Sequence, residues 1–249
     1  GRRRDRVRMY ASIGGGAGST PAEMARRAAQ AVEEGHTMVK IRMDWTARRT
    51  DINPSHDWAV LSEVRKAIGD KVELGFDPNN GYTVATAIRL GRRFQDELGL
   101  MHYEEPVAQY DYSGLAQVVA ALDVPIAAGE QEYTRWQFRD LITQANVDIV
   151  QPDLVKCAGI SEGLKIAALA STYNRILVPH QTQPAIFGEL VHRRVGRHAG
   201  EHEMDRLRPG TGQAFFDGAR LQVHDVPVRP ALVEDEAPIG IGAAVEPSQ

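Results

Sequence analysis

The chain has 249 residues, of which 29 are Lys or Arg and 33 are Asp or Glu, so its formal net charge is −4. A net negative charge argues against a nucleic-acid partner, because such partners are bound by clustered positive charge. No apolar run approaches the ~18 residues of a membrane-spanning helix. The single cysteine, Cys157, excludes an internal disulfide and fits a reducing compartment. We therefore expect a cytoplasmic protein without a membrane or nucleic-acid partner.

Strand and helix signals alternate along the chain as far as residue 180. The first helix shows the pattern: Thr20 is an N-cap residue, Pro21 takes the first helical position, and Gly35 ends the helix. Such alternation favours parallel β/α winding. The predicted elements are strand 7–13, helix 20–34, strand 38–43, helix 57–68, strand 72–77, helix 83–98, and later helices near 112–121, 134–145 and 160–173, each between two strands.

Beyond residue 180 the alternation is weaker. A seventh helix is predicted over 184–195 and an eighth strand near 199–204. The segment from residue 215 onward contains several glycines and prolines and is typical of an irregular appendage. We therefore predict a barrel domain over 1–214 and a C-terminal appendage over 215–249 that packs on it.

Five chemically reactive side chains recur at nearly constant spacing, and we refer to them as the strand-end residues. Asp77, Glu104, Glu130, Asp153 and His180 each follow a short apolar run, at separations of 27, 26, 23 and 27 residues. A strand with its crossover helix takes roughly 25–30 residues, so each lies at the carboxyl end of a successive strand. In a TIM-type barrel these ends converge on the catalytic face. The predicted fold is therefore α/β, a TIM-type (β/α) barrel of seven or eight units.

Three of the strand-end residues are carboxylates: Asp77, Glu104 and Glu130. Oxygen ligands of this type suit Mg²⁺, which keeps water or substrate oxygens in its remaining positions. Without a cation, two like charges about 4 Å apart repel by roughly 4 kcal/mol at an effective dielectric near 20. The alternative is that each acid is a helix N-cap or a solvated loop residue. The three together predict a magnesium site.

The remaining pair, Asp153 and His180, ends adjacent predicted strands, so the two side chains can meet. A buried aspartate that binds one imidazole nitrogen fixes the tautomer and raises the basicity of the other nitrogen. The pair therefore predicts a general base at His180. The alternative is a structural histidine that is capped by an acid.

Four further residues are candidates for contact with a substrate. Lys40 and Arg42 share one face of the second strand and either bind an anionic substrate and stabilise an oxyanion or brace the rim as salt bridges. Arg42 is excluded as a general base because its pKa exceeds ~12. Asn79 either ligates water or substrate or belongs to a turn, and Lys156 is a second rim cation.

Several motifs occur in order along the chain and together resemble the barrel domain of the enolase superfamily, in its mandelate racemase-like branch. The resemblance covers about residues 6–245. The motifs are Val39-Lys40-Ile41-Arg42, Asp77-Pro78-Asn79, Tyr103-Glu104-Glu105-Pro106, Gly129-Glu130, Gln151-Pro152-Asp153-Leu154-Val155-Lys156 with Gly159, and Pro179-His180.

This resemblance implies specific roles. Asp77, Glu104 and Glu130 would bind Mg²⁺, and Asp153 with His180 would form the acid/base dyad. The family reaction begins with removal of the proton α to a substrate carboxylate, and the metal stabilises the resulting dianion. An acid late in the barrel, which we place at Glu203 rather than Glu201, would correspond to a family residue that hydrogen-bonds the substrate carboxylate.

Two features depart from the family pattern. Members with a base on the second strand usually show Lys-x-Lys, whereas Arg42 takes the place of the second lysine here. This leaves His180 as the better base and argues against racemisation by two bases. The chain also begins at the first barrel strand, whereas the family carries an N-terminal α+β capping domain. We therefore expect weak turnover and an exposed barrel face that favours a homo-oligomer.

The resemblance implies a Mg²⁺-dependent hydro-lyase acting on a small carboxylate. We expect it to dehydrate a sugar acid, an aldonate or an aldarate, to a 2-keto-3-deoxy acid. One alternative is a racemase, epimerase or cycloisomerase of the same superfamily. The other is a truncated barrel without catalytic activity.

Overall fold

The structure, a computed structural model, describes residues 9–45 and 49–180. The seven described strands are parallel and lie in sequential order in one sheet, which is the arrangement of a TIM-type barrel, as predicted. The strands are β1 (Ala11–Ile13), β2 (Met38–Arg42), β3 (Glu73–Asp77), β4 (Leu100–Glu104), β5 (Ile126–Ala128), β6 (Ile149–Val150) and β7 (Ile176–Leu177). The helices are α1 (Pro21–Glu33), α2 (Pro54–Ile68), α3 (Val84–Arg93), α4 (Tyr112–Ala121), α5 (Arg135–Asp140) and α6 (Ile160–Thr172).

Local capping chemistry sets the helix boundaries. Thr20 and Glu23 form a capping box at the start of α1. Helix α2 begins three residues earlier than predicted, because Asn53 accepts a hydrogen bond from the His56 amide and Pro54 takes the first helical position. Helices α3 and α5 each continue into a π-helical turn, over Phe94–Leu98 and Leu141–Ala145, which completes the predicted segments 83–98 and 134–145.

The strands alternate between two environments. Leu74 and Phe76 on β3 are fully buried in the apolar core, and Phe76 packs against Phe94 of the following helical turn at 5.1 Å between ring centroids. Burial of each such side chain contributes roughly 1.5–3 kcal/mol. Residues of opposite parity, such as Lys40 and Gly75, face polar partners instead. The sheet therefore separates an apolar layer, under the helices, from the polar side chains described below.

Some predicted features lie outside the described residues. These are the helix 184–195, the strand 199–204 with Glu203, and the appendage 215–249. Among the described residues, none of the helices has the length and apolar character that crossing a bilayer requires.

Candidate active site

The strand-end residues lie along one edge of the sheet. Asp77 and Glu104 are the last residues of β3 and β4, Glu130 lies two residues beyond β5, and Asp153 and His180 each lie three residues beyond their strands. The backbones of Asp153 and His180 pair as an isolated parallel bridge. The four acids are buried and His180 is half-buried. All five lie on the rim that the sequence predicts.

Glu104 is the most heavily contacted of these acids. Its Oε1 accepts from Lys40 Nζ at 2.5 Å, and its Oε2 accepts from Gln151 Nε2 at 2.9 Å and lies 3.3 Å from His102 Nε2. Burial raises the pKa of Glu104, but the Lys40 ammonium outweighs burial and holds this pKa well below its ordinary value. The two side chains are 2% and 0% exposed, so they form a buried ion pair.

The ionised form of Asp77 is only partly stabilised by its neighbours. Its Oδ2 lies 3.6 Å from Lys40 Nζ, while Asn79 donates its backbone N–H to Oδ1 at 2.8 Å and its side-chain amide to Oδ2 at 3.2 Å. Burial and the neighbouring charge of Glu104 raise the pKa of Asp77 to about 8, despite Lys40. An added cation at this position would therefore stabilise the ionised form.

His180 lies between two carboxylates. Its Nδ1 is 2.8 Å from Asp153 Oδ2, and its Nε2 is 2.7 Å from Glu130 Oε2. Burial lowers the pKa of His180, but the contacts with Glu130 and Asp153 outweigh burial and raise it. Asp153 is itself held by the backbone N–H groups of Val155 and Lys156, at 2.8 and 3.2 Å. The predicted Asp153–His180 contact is thus present.

Glu130 reaches His180 because the chain turns sharply after β5. Gly129 has a φ of +131°, a conformation that residues with a Cβ rarely adopt. A Cβ there would also lie 2.8 Å from Phe138 Cε1. Both the backbone conformation and the lack of space therefore require glycine at residue 129, which explains why glycine precedes Glu130 in the motif.

The remaining candidates contact rim residues. Arg42 Nε is 2.6 Å from Asp44 Oδ1. Lys156 Nζ lies 3.4 Å from Gln131 Oε1, and the Gln131 amide donates to Glu130 Oε1 at 2.9 Å. The structure therefore gives Arg42 a bracing contact, and it connects Lys156 to Glu130. The substrate contacts of these residues stay predictions, as do those of Lys40 and Asn79.

Sequence reasoning did not single out Gln151, Gln131 or Asp44 for a role in the site. Gln151 is two residues before Asp153, and Asp44 is two residues after Arg42. Alternation of side chains along extended backbone was a usable signal for both. Gln131 carries no such signal, because it follows the turn at Gly129.

The donor chemistry of Asp77, Glu104 and Glu130 fits Mg²⁺. In the part of the chain that the structure describes, no three His, Cys, Asp or Glu side chains converge on one point as metal ligands do. Glu104 contacts Lys40 instead, and Glu130 contacts His180. The three carboxylates are nevertheless buried oxygen donors from consecutive strands, which is the ligand type that Mg²⁺ takes.

Gly75 leaves space for His102 beside Glu104. A Cβ at residue 75 would lie 2.4 Å from His102 Cε1. We expect Gly75→Ala to displace the imidazole and lower the free energy of unfolding by about 1–3 kcal/mol, as measured by urea denaturation. Gly18→Ala is the control, because its Cβ would meet no atom within 4 Å.

A clash between the alanine Cβ and the His102 imidazole predicts a second result. In a double-mutant cycle, His102→Ala should relieve part of the cost of Gly75→Ala, with a coupling of roughly 1 kcal/mol or more. Strictly additive losses of stability would contradict the proposed clash.

Comparison with known proteins places the chain among enzymes of one superfamily. Residues 23–208 match the family model described as enolase C-terminal domain-like. Arabinonate dehydratase from Saccharolobus solfataricus is 36% identical over 156 residues, which are 62% of this chain and 40% of that protein. L-talarate/galactarate dehydratase from Salmonella typhimurium is 36% identical over 180 residues, which are 72% of this chain and 44% of that protein.

A solved structure indicates the same superfamily. A mandelate racemase/muconate lactonizing protein from Paracoccus denitrificans, complexed with magnesium, aligns with a TM-score of 0.72 and 42% identity, covering 75% of this chain and 50% of that one. The chain spans less than half the length of the two curated relatives above. The family match includes every strand-end residue. The chain therefore belongs to the enolase C-terminal domain-like family of the enolase superfamily.

Proposed function

We propose that the protein is a Mg²⁺-dependent hydro-lyase that dehydrates a sugar acid, an aldonate or an aldarate, to a 2-keto-3-deoxy acid. The observation that carries the proposal is the Asp153–His180 contact at 2.8 Å beside the buried Lys40–Glu104 pair. A positioned histidine and a buried cation on one rim are what removal of a proton α to a carboxylate requires. The two named relatives are dehydratases of sugar acids, which supports the substrate class.

His180 is the proposed general base. In the structure Nε2 lies 2.7 Å from Glu130 Oε2, a contact that requires a hydrogen on Nε2. With Glu130 engaged instead as a Mg²⁺ ligand and Nδ1 donating its hydrogen to Asp153, Nε2 would carry the free lone pair and take the proton from the carbon α to the carboxylate. The same proton then passes from Nε2 to the β-hydroxyl as the β carbon–oxygen bond breaks, so that water leaves. The resulting enol becomes the 2-keto acid by proton transfer to the β carbon.

Lys40 is the proposed electrostatic partner of the substrate carboxylate. Its ammonium is buried and lies within 3.6 Å of two acids, and a fixed positive charge in a buried site stabilises developing negative charge. Mg²⁺ held by Asp77, Glu104 and Glu130 would add positive charge where the substrate carboxylate becomes more negative as the α-proton leaves.

The single buried thiol, Cys157, fits a cytoplasmic location.

A racemase or cycloisomerase is the second candidate, because the Paracoccus denitrificans relative is described as a mandelate racemase/muconate lactonizing protein. Arg42 opposes it. Racemisation by two bases needs a competent base on each face of the substrate, and a guanidinium does not give up its proton in proteins.

One incubation separates the two reactions. The protein is incubated with Mg²⁺ and a panel of aldonic and aldaric acids in D₂O, and the products are followed by NMR. We expect a 2-keto-3-deoxy acid from at least one substrate, and no product after addition of EDTA. Exchange of the α-hydrogen for deuterium with inversion, and with no loss of water, would overturn the dehydratase proposal.

A further inference from the structure

A buried glutamine connects two strands that are not neighbours in the sheet. Gln151 lies one residue beyond β6 and is 1% exposed, and its Nε2 donates to Glu104 Oε2 at 2.9 Å. Glu104 is the last residue of β4, so this hydrogen bond passes over β5, which lies between β4 and β6. The bond therefore depends on the alignment of three strands and on the space that β5 leaves free.

The strand register brings the two side chains to the same face. Glu104 pairs with Ala127 of β5, and Ala127 pairs with Ile149 of β6. Gln151 follows Ile149 by two residues and shares its face, because side chains alternate along extended backbone. Strands two positions apart are separated by roughly 10 Å, which two long side chains span when the residue between them is small. Alanine at residue 127 provides this space.

The backbone of Gln151 is fixed beside the turn that carries Glu130. The Gln151 N–H donates to Ala128 O at 2.9 Å, and a Cβ on Gly129 would lie 3.1 Å from Gln151 N. Asp153 follows two residues later on the same segment. The main chain of Gln151 is thus held between two strand-end residues, while its side chain contacts a third.

The two oxygens of Glu104 are held by different donors. Lys40 Nζ donates to Oε1 at 2.5 Å, and Gln151 Nε2 donates to Oε2. His102 Nε2 is also 3.3 Å from Oε2, but an imidazole nitrogen donates only in one tautomer or when protonated, whereas an amide NH₂ always donates. Donors on both oxygens restrict rotation of the carboxylate. Since a carboxylate has about four lone-pair positions, these contacts leave room for a metal bond.

The other end of the amide shows what determines its orientation. Gln151 Oε1 is fully buried and has no hydrogen-bond partner among residues 9–45 and 49–180, which is costly for a polar atom. Rotation of the amide by 180° would place Oε1 against the Glu104 carboxylate, where two acceptors repel each other. The hydrogen bond from Nε2 to a charged oxygen is stronger than one between neutral groups. Contact with Glu104 therefore fixes the orientation of the amide.

We infer that Gln151 is a positioning residue that holds the Glu104 carboxylate in the orientation in which it binds Mg²⁺. The inference rests on the proposed function in taking Glu104 as a metal ligand, and it adds a residue outside the strand-end set. Gln151 acts through Glu104 and is not itself a ligand. Loss of a residue that orients a metal ligand typically lowers metal affinity about 10–100-fold.

Two variants test this role through Mg²⁺ affinity, measured by calorimetric titration. Gln151→Met keeps the length of the side chain but has no donor. Gln151→Asn keeps a buried amide that is one methylene too short to reach Glu104. We expect each variant to bind Mg²⁺ about 10–100-fold more weakly than wild type. A loss shared by two side chains of different polarity separates the missing hydrogen bond from a general effect on packing.

Gln30→Met is the matched control. Gln30 Nε2 donates to Glu34 Oε1 at 2.9 Å, so the residue types and the distance are the same, but Glu34 is not a candidate ligand. Its Mg²⁺ affinity should stay within about threefold of wild type. The melting temperature without Mg²⁺ gives a second readout for all three variants. A purely structural role of Gln151 would lower this temperature and leave the Mg²⁺ affinity unchanged.

The outcomes separate this inference from the proposed function. The titration requires no turnover, so a protein that binds Mg²⁺ but forms no 2-keto-3-deoxy acid would contradict the dehydratase proposal and still decide the role of Gln151. If Gln151→Met does not fold, Gln151→Asn decides it alone. Wild-type affinity in a folded Gln151 variant would overturn the inference. An equal loss in Gln30→Met, or no Mg²⁺ binding by the wild-type protein, would overturn it as well.

Discussion

Replacement of His180 by asparagine is expected to lower kcat for sugar-acid dehydration by about 10³-fold, because a positioned general acid–base group contributes about 10²–10⁴-fold. Asparagine keeps a polar amide beside Asp153 and Glu130, which His180 contacts at 2.8 and 2.7 Å. It has no nitrogen that takes up a proton near neutral pH. The loss should therefore appear in the chemical step and leave the fold intact.

Two measurements distinguish a catalytic role of His180 from a structural one. The rate of exchange of the α-hydrogen in D₂O should fall together with kcat, while the melting temperature stays close to that of wild type. His36→Asn is the matched control, since His36 lies between α1 and β2, at the opposite end of β2 from Arg42. A His180→Asn variant that retained kcat within about tenfold of wild type would contradict the assignment of His180 as the base.

The sequence was sufficient to predict which side chains share the rim, because strand period and side-chain parity are strict. One residue in each of five consecutive β/α units, at the end of an apolar run, can be assigned from the sequence alone. The contact between Asp153 and His180 followed from their positions on adjacent strands. The confirmed bounds of α4, Tyr112–Ala121, show the same dependence on local periodicity.

The partners of the rim side chains were not predictable in this way. Asp44 and Gly15 are separated by 29 residues along the chain, and Asp44 and Asn79 both have positive φ values, so no periodic pattern relates them. The contact of Glu130 with His180 depends on the turn at Gly129. Such contacts are set by loop conformation, which sequence period does not encode.

The fit between Gly75 and His102 is a further example. The sequence shows a glycine in one strand and a histidine in the next, but only the strand register brings them together, with a shift in pairing between Leu74 and Gly75. Irregular pairing of this kind changes which residues face each other across two strands. The two-residue spacing of His102 and Glu104 puts them on one face of β4, but it does not identify the space that the imidazole occupies.

Glu130→Gln is expected to lower Mg²⁺ affinity by about 100-fold or more, because loss of a partner that only orients a ligand already costs about 10–100-fold. The substitution keeps the size of the side chain and removes one of three buried carboxylates on consecutive strands. Calorimetric titration with Mg²⁺ gives the affinity directly and requires no turnover. A second measure is the melting temperature, which Mg²⁺ should raise in wild type and leave nearly unchanged in Glu130→Gln, since a ligand stabilises only the state that binds it.

Glu132→Gln provides the matched control for this experiment. Glu132 is also a buried glutamate in the loop after β5, but its Oε1 accepts from the Tyr112 hydroxyl at 2.9 Å, and it is not one of the strand-end residues. Its replacement should leave Mg²⁺ affinity within about threefold of wild type, because the removed charge is not a metal ligand. Wild-type affinity in Glu130→Gln would remove Glu130 from the proposed ligand set. An equal loss of Mg²⁺ affinity in both variants would contradict direct ligation by Glu130. It would mean that the affinity depends on the negative charge of this loop as a whole.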